Sequence, residues 1–172
     1  MITLSDNDAA DWLWNDVGGA EPVTEFLQTA GIGDAVIDPN LWGSSTFSPR
    51  DSATLMADLV GGTILDEPTR TLAMDLLSSV DPSQAWGAVA AAPSGERGVK
   101  NGWYPENDGW VLDSTGFVRD AGSGPNYTIA IFTYGQADFY AGIDTIQQIG
   151  QEIYEALAAQ GGSPVAGAAT SG

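Results

Sequence analysis

The sequence predicts an α+β fold, in which a helical half is followed by a three-stranded antiparallel meander and a C-terminal helix. Up to about position 81, apolar residues recur at helical spacing between capping residues. Between positions 96 and 134 they alternate, as they do in strands. One long amphipathic segment then follows. Helices followed by strands indicate an α+β arrangement, and the last helix is needed to cover the sheet.

Two short helices and a long loop open the chain. The first predicted helix runs from Asp8 to Val17 and stops at Gly18-Gly19, because glycine readily ends a helix. A second helix carries Pro22 in its first turn and ends at Gly31. Residues 31–47 contain Gly, Pro and Asn without a clear period, so we predict a long loop. Loops of this length are often functional.

The next two helices begin with strong capping signals. Ser48-Pro49-Arg50-Asp51 combines an N-cap serine, a first-position proline and a first-turn acid. Asp66-Glu67-Pro68 opens the following helix, and its predicted core-facing side consists of Leu72, Leu76 and Val80. Residues 83–94 are alanine-rich and have no clear period.

Three strands and a final helix complete the predicted domain. The strands are Glu96–Tyr104, Gly109–Arg119 and Asn126–Tyr134. The third strand is apolar on both sides, which predicts a central position in the sheet. The final helix carries an apolar stripe consisting of Ile143, Ile146, Ile149, Ile153 and Leu157.

Length and composition indicate one globular domain. A chain of 172 residues that is 43% hydrophobic can build a sizeable core, and we expect this domain to cover residues 1–160. Residues 161–172 are rich in Gly, Ser and Ala, and we expect them to form a disordered tail.

The charge and the missing residue types exclude several functions. With 23 acidic and five basic residues, the formal net charge is −18, so binding to nucleic acid or to an anionic lipid surface is disfavoured. The chain has no cysteine and no histidine, which excludes disulfides and histidine-based catalytic triads. We predict no metal and no cofactor. No apolar run of about 18 residues is present, so no transmembrane helix is predicted.

Two short motifs stand out, Ser5-Asp6-Asn7 and Lys100-Asn101-Gly102-Trp103. By itself, Ser-Asp-Asn is first of all a helix N-cap, because all three residue types cap well. Lys100 is the only lysine, and one ammonium in so acidic a chain suits a substrate carboxylate.

Together the motifs resemble two signature elements of the penicillin-recognising serine hydrolases, the class A β-lactamase and penicillin-binding-protein superfamily. The Val17-Gly18-Gly19 and Ser48-Pro49-Arg50-Asp51 segments also resemble family segments and occur in the family's order. The resemblance covers about residues 2–159 and implies a β-lactamase/transpeptidase-like fold. It also implies a secreted or cell-envelope bacterial protein acting on a β-lactam or a peptidoglycan-like peptide.

The resemblance assigns roles to individual residues. It implies that Ser5 passes a proton and that Lys100 adjusts the electrostatics of that transfer. It implies substrate binding by Asn7, Asn101, Gly102 and Trp103, with the Trp103 N–H forming half of an oxyanion hole. The family nucleophile motif, Ser-x-x-Lys, is absent because Arg97 stands three positions before the only lysine. We therefore expect this chain to be the C-terminal portion of such a hydrolase, truncated at the N-terminus and inactive alone.

Three departures from the family pattern leave a second interpretation open. Asn101 stands where the family usually has Thr, and Trp103 adds a bulky residue that could narrow the cleft. The loop 31–47 has no Glu to activate a deacylating water, and its only acids are Asp34 and Asp38. The chain could instead be a catalytically degenerate binding domain that keeps only the fold.

Overall fold

A three-stranded antiparallel sheet with helices on both faces forms the body of the molecule. The structure is a computed structural model that describes residues 1–122 and 124–161. The predicted α+β order is confirmed, because within these residues four α-helices precede the sheet and one follows it. Within the predicted tail, residues 162–172 lie outside the described residues.

The sheet consists of β1 (Glu96–Glu106), β2 (Gly109–Arg119) and β3 (Tyr127–Gln136), in the order β1-β2-β3. The prediction that the third strand is central was therefore wrong for this sheet, in which β2 is the middle strand. Helices pack on both faces of β3. This explains why β3 is apolar on both faces although it has only one neighbouring strand in this sheet. Between Trp110 and Leu112 the register of β2 against β3 shifts, which marks a β-bulge.

One face of the sheet packs against the C-terminal helix α5 (Phe139–Ala159). Ile146 of this helix is fully buried against Leu112 and Ile131. The segment before β1 adds Trp86 and Val89 to the same core. Asp138 caps the helix by accepting from the Ala141 N–H at 2.9 Å.

The other face carries α3 (Pro49–Gly61) and α4 (Glu67–Ser78). Both helices start as predicted, with Ser48 and Asp66 as N-caps. The buried residues of α4 are Met74 and Leu77, which pack on Phe117. The side of α4 predicted to face the core is thus partly wrong: Leu72 is exposed, and Leu76 lines an open apolar groove between the helices.

The first two helices and the long loop stand beside the sheet. They are α1 (Asn7–Asp16) and α2 (Ala20–Thr29), both within two residues of the predicted positions. The loop contains a short 3-10 helix, Trp42–Ser44, and a single bridge between Val36 and Thr46. None of the described helices has the length and hydropathy needed to cross a membrane.

Candidate active site

The segment before α1 is tied to the chain that precedes β1. The Asp81 N–H donates to the Thr3 carbonyl, and the Gln84 side chain donates to the Leu4 carbonyl, both at 2.9 Å. These bonds hold Ser5 beside β1. Ser5 has φ +54°, and it is the only non-glycine residue of the described chain with positive φ. The contacts of the two preceding residues thus help to hold Ser5 in a backbone conformation that serine seldom adopts.

Asp6 fixes the direction in which α1 leaves this segment. Its carboxylate accepts the Ala9 N–H at 2.9 Å as the N-cap of the helix. The Asp6 side chain is therefore used by the local backbone. Asn7 is the first residue of α1 and is exposed.

The side chains of Ser5 and Lys100 meet at β1. The Lys100 ammonium donates to Ser5 Oγ at 2.8 Å, across 95 positions of the sequence. It also donates to the main-chain oxygen of Asn101. The structure thus brings together the two residues predicted to be catalytic, while their roles in a reaction stay a prediction.

The Lys100 ammonium lies in a partly buried environment without a carboxylate partner. Both ion pairs of the described residues are elsewhere, between Arg70 and Glu67 and between Arg119 and Glu96. Burial lowers the pKa of Lys100 below its ordinary value, because leaving water disfavours the charged form. An ammonium with a lowered pKa gives up its proton more easily than an ordinary lysine does.

A cleft of about 1100 Å³ opens over this pair. Residues of α1, β1 and the 3-10 turn of the long loop line it. All six residues predicted from the sequence belong to the lining: Ser5, Asn7, Lys100, Asn101, Gly102 and Trp103. The predicted site residues therefore share one cleft, although their side chains serve different purposes within it.

The Asn101 side chain is committed to the protein. Asn101 is 4% exposed, and its amide nitrogen donates to the carbonyls of Gln84 and Trp86, both at 2.9 Å. An amide has two N–H donors, so none is left for a ligand. To donate a hydrogen bond to a substrate, the amide would have to leave these partners.

Sequence reasoning missed Ser114, which completes this buried arrangement. Ser114 pairs with Asn101 across the strands and is fully buried. Its hydroxyl oxygen accepts the Ala88 N–H at 2.9 Å. Gly87 leaves room for both side chains, since a Cβ there would contact Ser114 Oγ and lie 2.8 Å from Asn101 Oδ1. A polar residue at an inward position of each paired strand was the available signal.

Gly102 leaves space in the cleft, and the Trp103 ring packs away from it. A Cβ on Gly102 would have no atom within 4 Å. The Trp103 ring lies 5.8 Å from that of Trp86 and 5.7 Å from that of Phe139, centroid to centroid. Much of the bulk that was expected to narrow the cleft is thus taken up in an aromatic cluster beside α5.

Asp113 is a second residue that sequence reasoning missed. It lies on β2 directly opposite Gly102 and lines the cleft. Burial raises the pKa of Asp113 to about 6, and a hydrogen bond from the Thr133 backbone partly opposes the shift. The cleft therefore contains a carboxyl group that titrates near neutral pH.

The long loop directs none of its carboxylates into the cleft. Asp38 accepts the N–H groups of Asn40 and Leu41 at 2.8 and 2.9 Å, so its carboxylate stabilises a turn. Neither Asp38 nor Asp34 belongs to the lining. The Trp42 indole, which does line the cleft, donates to the Asp11 carboxylate and ties the loop to α1.

The described residues offer no obvious metal site. No group of three or more carboxylate-bearing residues among residues 1–122 and 124–161 is arranged to hold a metal ion. The cleft instead holds a hydroxyl and an ammonium in contact with each other. Such a pair suits the transfer of a proton.

Comparisons with known proteins agree with one another. A family model described as the beta-lactamase enzyme family matches residues 1–157. The structure of PBP-A is 26% identical over 91% of this chain and 58% of its own length, with a TM-score of 0.72. A PBP-A mutant in an acyl-enzyme complex with penicillin G is 27% identical over the same shares of the two chains, with the same TM-score. A comparison with curated proteins found no match.

More distant structures support the fold alone. The beta-lactamase of Sphaerobacter thermophilus is 22% identical over 94% of this chain and 60% of its own, with a TM-score of 0.73. The TLA-3 extended-spectrum beta-lactamase is 18% identical over 90% and 60%, with a TM-score of 0.77. The predicted β-lactamase-like fold is thereby confirmed. The chain spans about three fifths of the length of these structures.

Proposed function

The chain belongs to the beta-lactamase enzyme family, and from this we propose that the whole protein is a serine hydrolase that forms an acyl-serine with β-lactam or peptidoglycan-type amide substrates. The observation that carries the proposal is the 2.8 Å hydrogen bond from Lys100 to Ser5 Oγ at the edge of the cleft. The PBP-A mutant solved as an acyl-enzyme with penicillin G supports a penicillin as the first substrate to test. A secreted or cell-envelope location is part of the same proposal.

Ser5 would relay a proton to the leaving nitrogen. Because the Lys100 ammonium donates to Ser5 Oγ, the hydroxyl's own hydrogen is free to be donated elsewhere. As that hydrogen moves to the nitrogen released from the broken amide bond, a hydrogen from Lys100 replaces it on Ser5 Oγ. The lowered pKa of Lys100 supports this second transfer.

The N–H of Trp103 would supply half of the oxyanion hole. The main-chain oxygen of Asn101 accepts from the Lys100 ammonium, so this part of β1 faces the catalytic pair. Residues two apart in a strand direct their main-chain N–H and C=O groups to the same edge. Trp103 is two residues beyond Asn101, and its N–H would therefore point to the same edge. An N–H there would stabilise a developing oxyanion.

Lys100 would also anchor an anionic group of the substrate. An ammonium has three donors, and two of them are used on Ser5 and Asn101. Lys100 is the only basic residue that lines the cleft within the described chain. Its third hydrogen is available for a substrate carboxylate.

The attacking serine would come from outside the 172 residues. No Ser-x-x-Lys motif is present in the sequence, and the matched structures extend well beyond the part that this chain matches. In this proposal Ser5, Lys100 and the Trp103 N–H form one wall of the active site. The part of the whole protein that carries the nucleophile forms the other.

A specific observation also favours a second candidate, a degenerate binding domain. The Asn101 amide is committed to Gln84 and Trp86, and Asp38 is committed to its own turn. Asn101 was expected to bind substrate, and Asp38 is one of only two acids in a loop that has no Glu to activate a water. A protein with this cleft could hold a β-lactam-like ligand without hydrolysing it.

Covalent labelling tests the two candidates. The whole natural polypeptide is incubated with a fluorescent penicillin and separated under denaturing conditions, and anisotropy measures reversible binding in parallel. We expect a covalent band that forms much more slowly in the Ser5→Ala variant. Reversible binding without a covalent band would support the binding domain. If the folded protein neither binds nor becomes labelled, both candidates are wrong.

A further inference from the structure

Asp113 occupies a position in the cleft for which neither the fold nor the proposed proton relay gives a reason. It stands opposite Gly102 on the neighbouring strand, on the same side of the sheet as Lys100. Because Gly102 has no side chain and open space above it, no side chain at that position covers the Asp113 carboxyl. A substrate lying over Gly102 would therefore contact or closely approach this group.

The groups around Asp113 leave its charge uncompensated. Lys100, Tyr104 and Glu106 are the titratable residues that β1 contributes to this side of the cleft. Asp6 lines the cleft from the start of α1, and Met1 with its N-terminal ammonium also lines it but forms no ion pair with Asp113. Lys100 is turned toward Ser5 and forms no ion pair with Asp113. β3 contributes only the backbone hydrogen bond from Thr133. Half-buried carboxylates are usually paired, and this one has no cationic partner among the described residues.

We propose that Asp113 is a specificity-determining residue of the cleft, whose ionised carboxylate weakens the binding of ligands that carry a carboxylate near Gly102 and leaves the binding of their uncharged ester or amide analogues unchanged. The inference rests on the proposed function, since it concerns ligands anchored beside Lys100. Lys100 and Asp113 are diagonal neighbours across the two strands, about 7–8 Å apart at this spacing. An anion held by the one is therefore close to the other.

The titration of Asp113 makes this preference depend on pH. Since burial raises its pKa to about 6, the group is largely neutral at pH 5 and largely ionised at pH 7.5. A ligand carboxylate, with an ordinary value near 4, stays ionised over the whole range. Two like charges at this separation weaken binding by roughly tenfold at a partly buried site. An uncharged ligand is not affected in this way.

Binding of two matched probes tests the inference without any catalytic step. Benzylpenicillin and its methyl ester are titrated into the 172-residue chain at pH 5.0 and 7.5, and the amide signals of Gly102 and Trp103 are followed by NMR. We expect benzylpenicillin to bind roughly tenfold more weakly at pH 7.5 and the ester to bind equally at both values. In Asp113→Asn the acid should bind equally at both values. Glu106→Gln, which removes another cleft carboxylate, should keep the wild-type difference.

The outcomes separate this inference from the proposed function. If both probes bind and the wild type shows no pH dependence, or if Asp113→Asn keeps it, the inference is wrong and the hydrolase proposal stands. If neither probe binds at either pH, the inference is wrong, while the hydrolase proposal, which concerns the whole protein, is decided by the covalent labelling. Should Asp113→Asn not fold, the carboxyl carbon of Asp113 is titrated in the wild type with and without benzylpenicillin. By reciprocity the bound acid must raise the pKa of Asp113, and an unchanged value overturns the inference.

Discussion

The Lys100 ammonium lies 2.8 Å from the hydroxyl oxygen of Ser5, although 95 residues separate them in the sequence. Hydrogen bonds from Asp81 and Gln84 to the first residues of the chain hold this contact in place. They also hold Ser5 at φ +54°. Mutation of Ser5 can therefore separate two effects, the strain of its positive φ and the loss of its hydroxyl contact with Lys100.

Substituting Ser5 by Gly or by Ala should separate stability from activity. Gly accepts positive φ without strain, and this relief should offset the lost bond to Lys100, so Ser5→Gly should leave the free energy of unfolding within about 0.5 kcal/mol of the wild type. Ser5→Ala keeps the strain and loses the bond to Lys100, and should cost about 1 kcal/mol. Urea denaturation measures both changes. Both variants lack the hydroxyl. When they are introduced into the whole natural polypeptide, both should therefore react far more slowly with a fluorescent penicillin.

If the glycine variant labels at the wild-type rate, Ser5 does not relay the proton. If the labelling rate of both variants falls only as much as the fraction of folded protein falls, Ser5 has a structural role only. The glycine variant is the decisive one, because it is expected to be the more stable of the two.

Removing the Asn101 amide should destabilise the protein. Asn101→Ala leaves the carbonyls of Gln84 and Trp86 without their buried donors, which should cost about 2–4 kcal/mol. Asn107→Ala, in the exposed turn between β1 and β2, removes the same group and should change the free energy of unfolding by less than about 0.5 kcal/mol. Equal losses in the two variants would show that the buried amide does not hold the loop.

The pH dependence of stability should reveal Asp113. Its folded-state pKa, about 6, lies above the ordinary value of 3.8, so the native state binds the proton more tightly than the unfolded state. That contribution is fully present below pH 3.8 and is lost as the pH rises to about 6. The full shift corresponds to about 3 kcal/mol, and solvent screening of this half-exposed group reduces it to about 1 kcal/mol.

Asp113→Asn is neutral at every pH and does not suffer this loss. We expect it to match the wild type at pH 3.5 and to be more stable by about 1 kcal/mol at pH 7.5. Asp108→Asn, in the exposed turn, is the matched control and should give no pH-dependent gain. Parallel stability curves for the wild type and Asp113→Asn would contradict the assignment.

The helices and strands could be predicted because their signals are local. Capping residues such as Ser48 and Asp66 mark helix starts through bonds to N–H groups a few residues away. The position of β3 could not be predicted in this way. A strand covered by helices on both faces has the same apolar pattern as a central strand, so its neighbours have to be seen.

The candidate site was predictable where a motif carried it. Ser5 and Lys100 were found through their short motifs, and the structure adds their distance. Asn101 was expected to bind substrate because of its position in the motif. The motif does not show which groups accept hydrogen bonds from the side-chain amide. Its direction depends on the buried Ser114 and on the space left by Gly87, and neither can be placed beside Asn101 before the pairing of the strands is known. Asp113 was missed because its environment comes from pairing with Gly102.

A matched pair of glycine substitutions should distinguish the support of the site from its open space. Gly87→Ala places a methyl group at φ +110°, against Ser114 Oγ and 2.8 Å from Asn101 Oδ1, and should lower the free energy of unfolding by about 3 kcal/mol or more.

Gly102→Ala is the matched variant: its methyl group meets no atom within 4 Å and should leave the free energy of unfolding within about 0.5 kcal/mol of the wild type. Its methyl group nevertheless stands over Gly102, where we propose that the ligand lies. Benzylpenicillin should therefore bind at least about tenfold more weakly to Gly102→Ala, measured by NMR titration at pH 5.0. Unchanged binding by this well-folded variant would show that the ligand does not lie over Gly102.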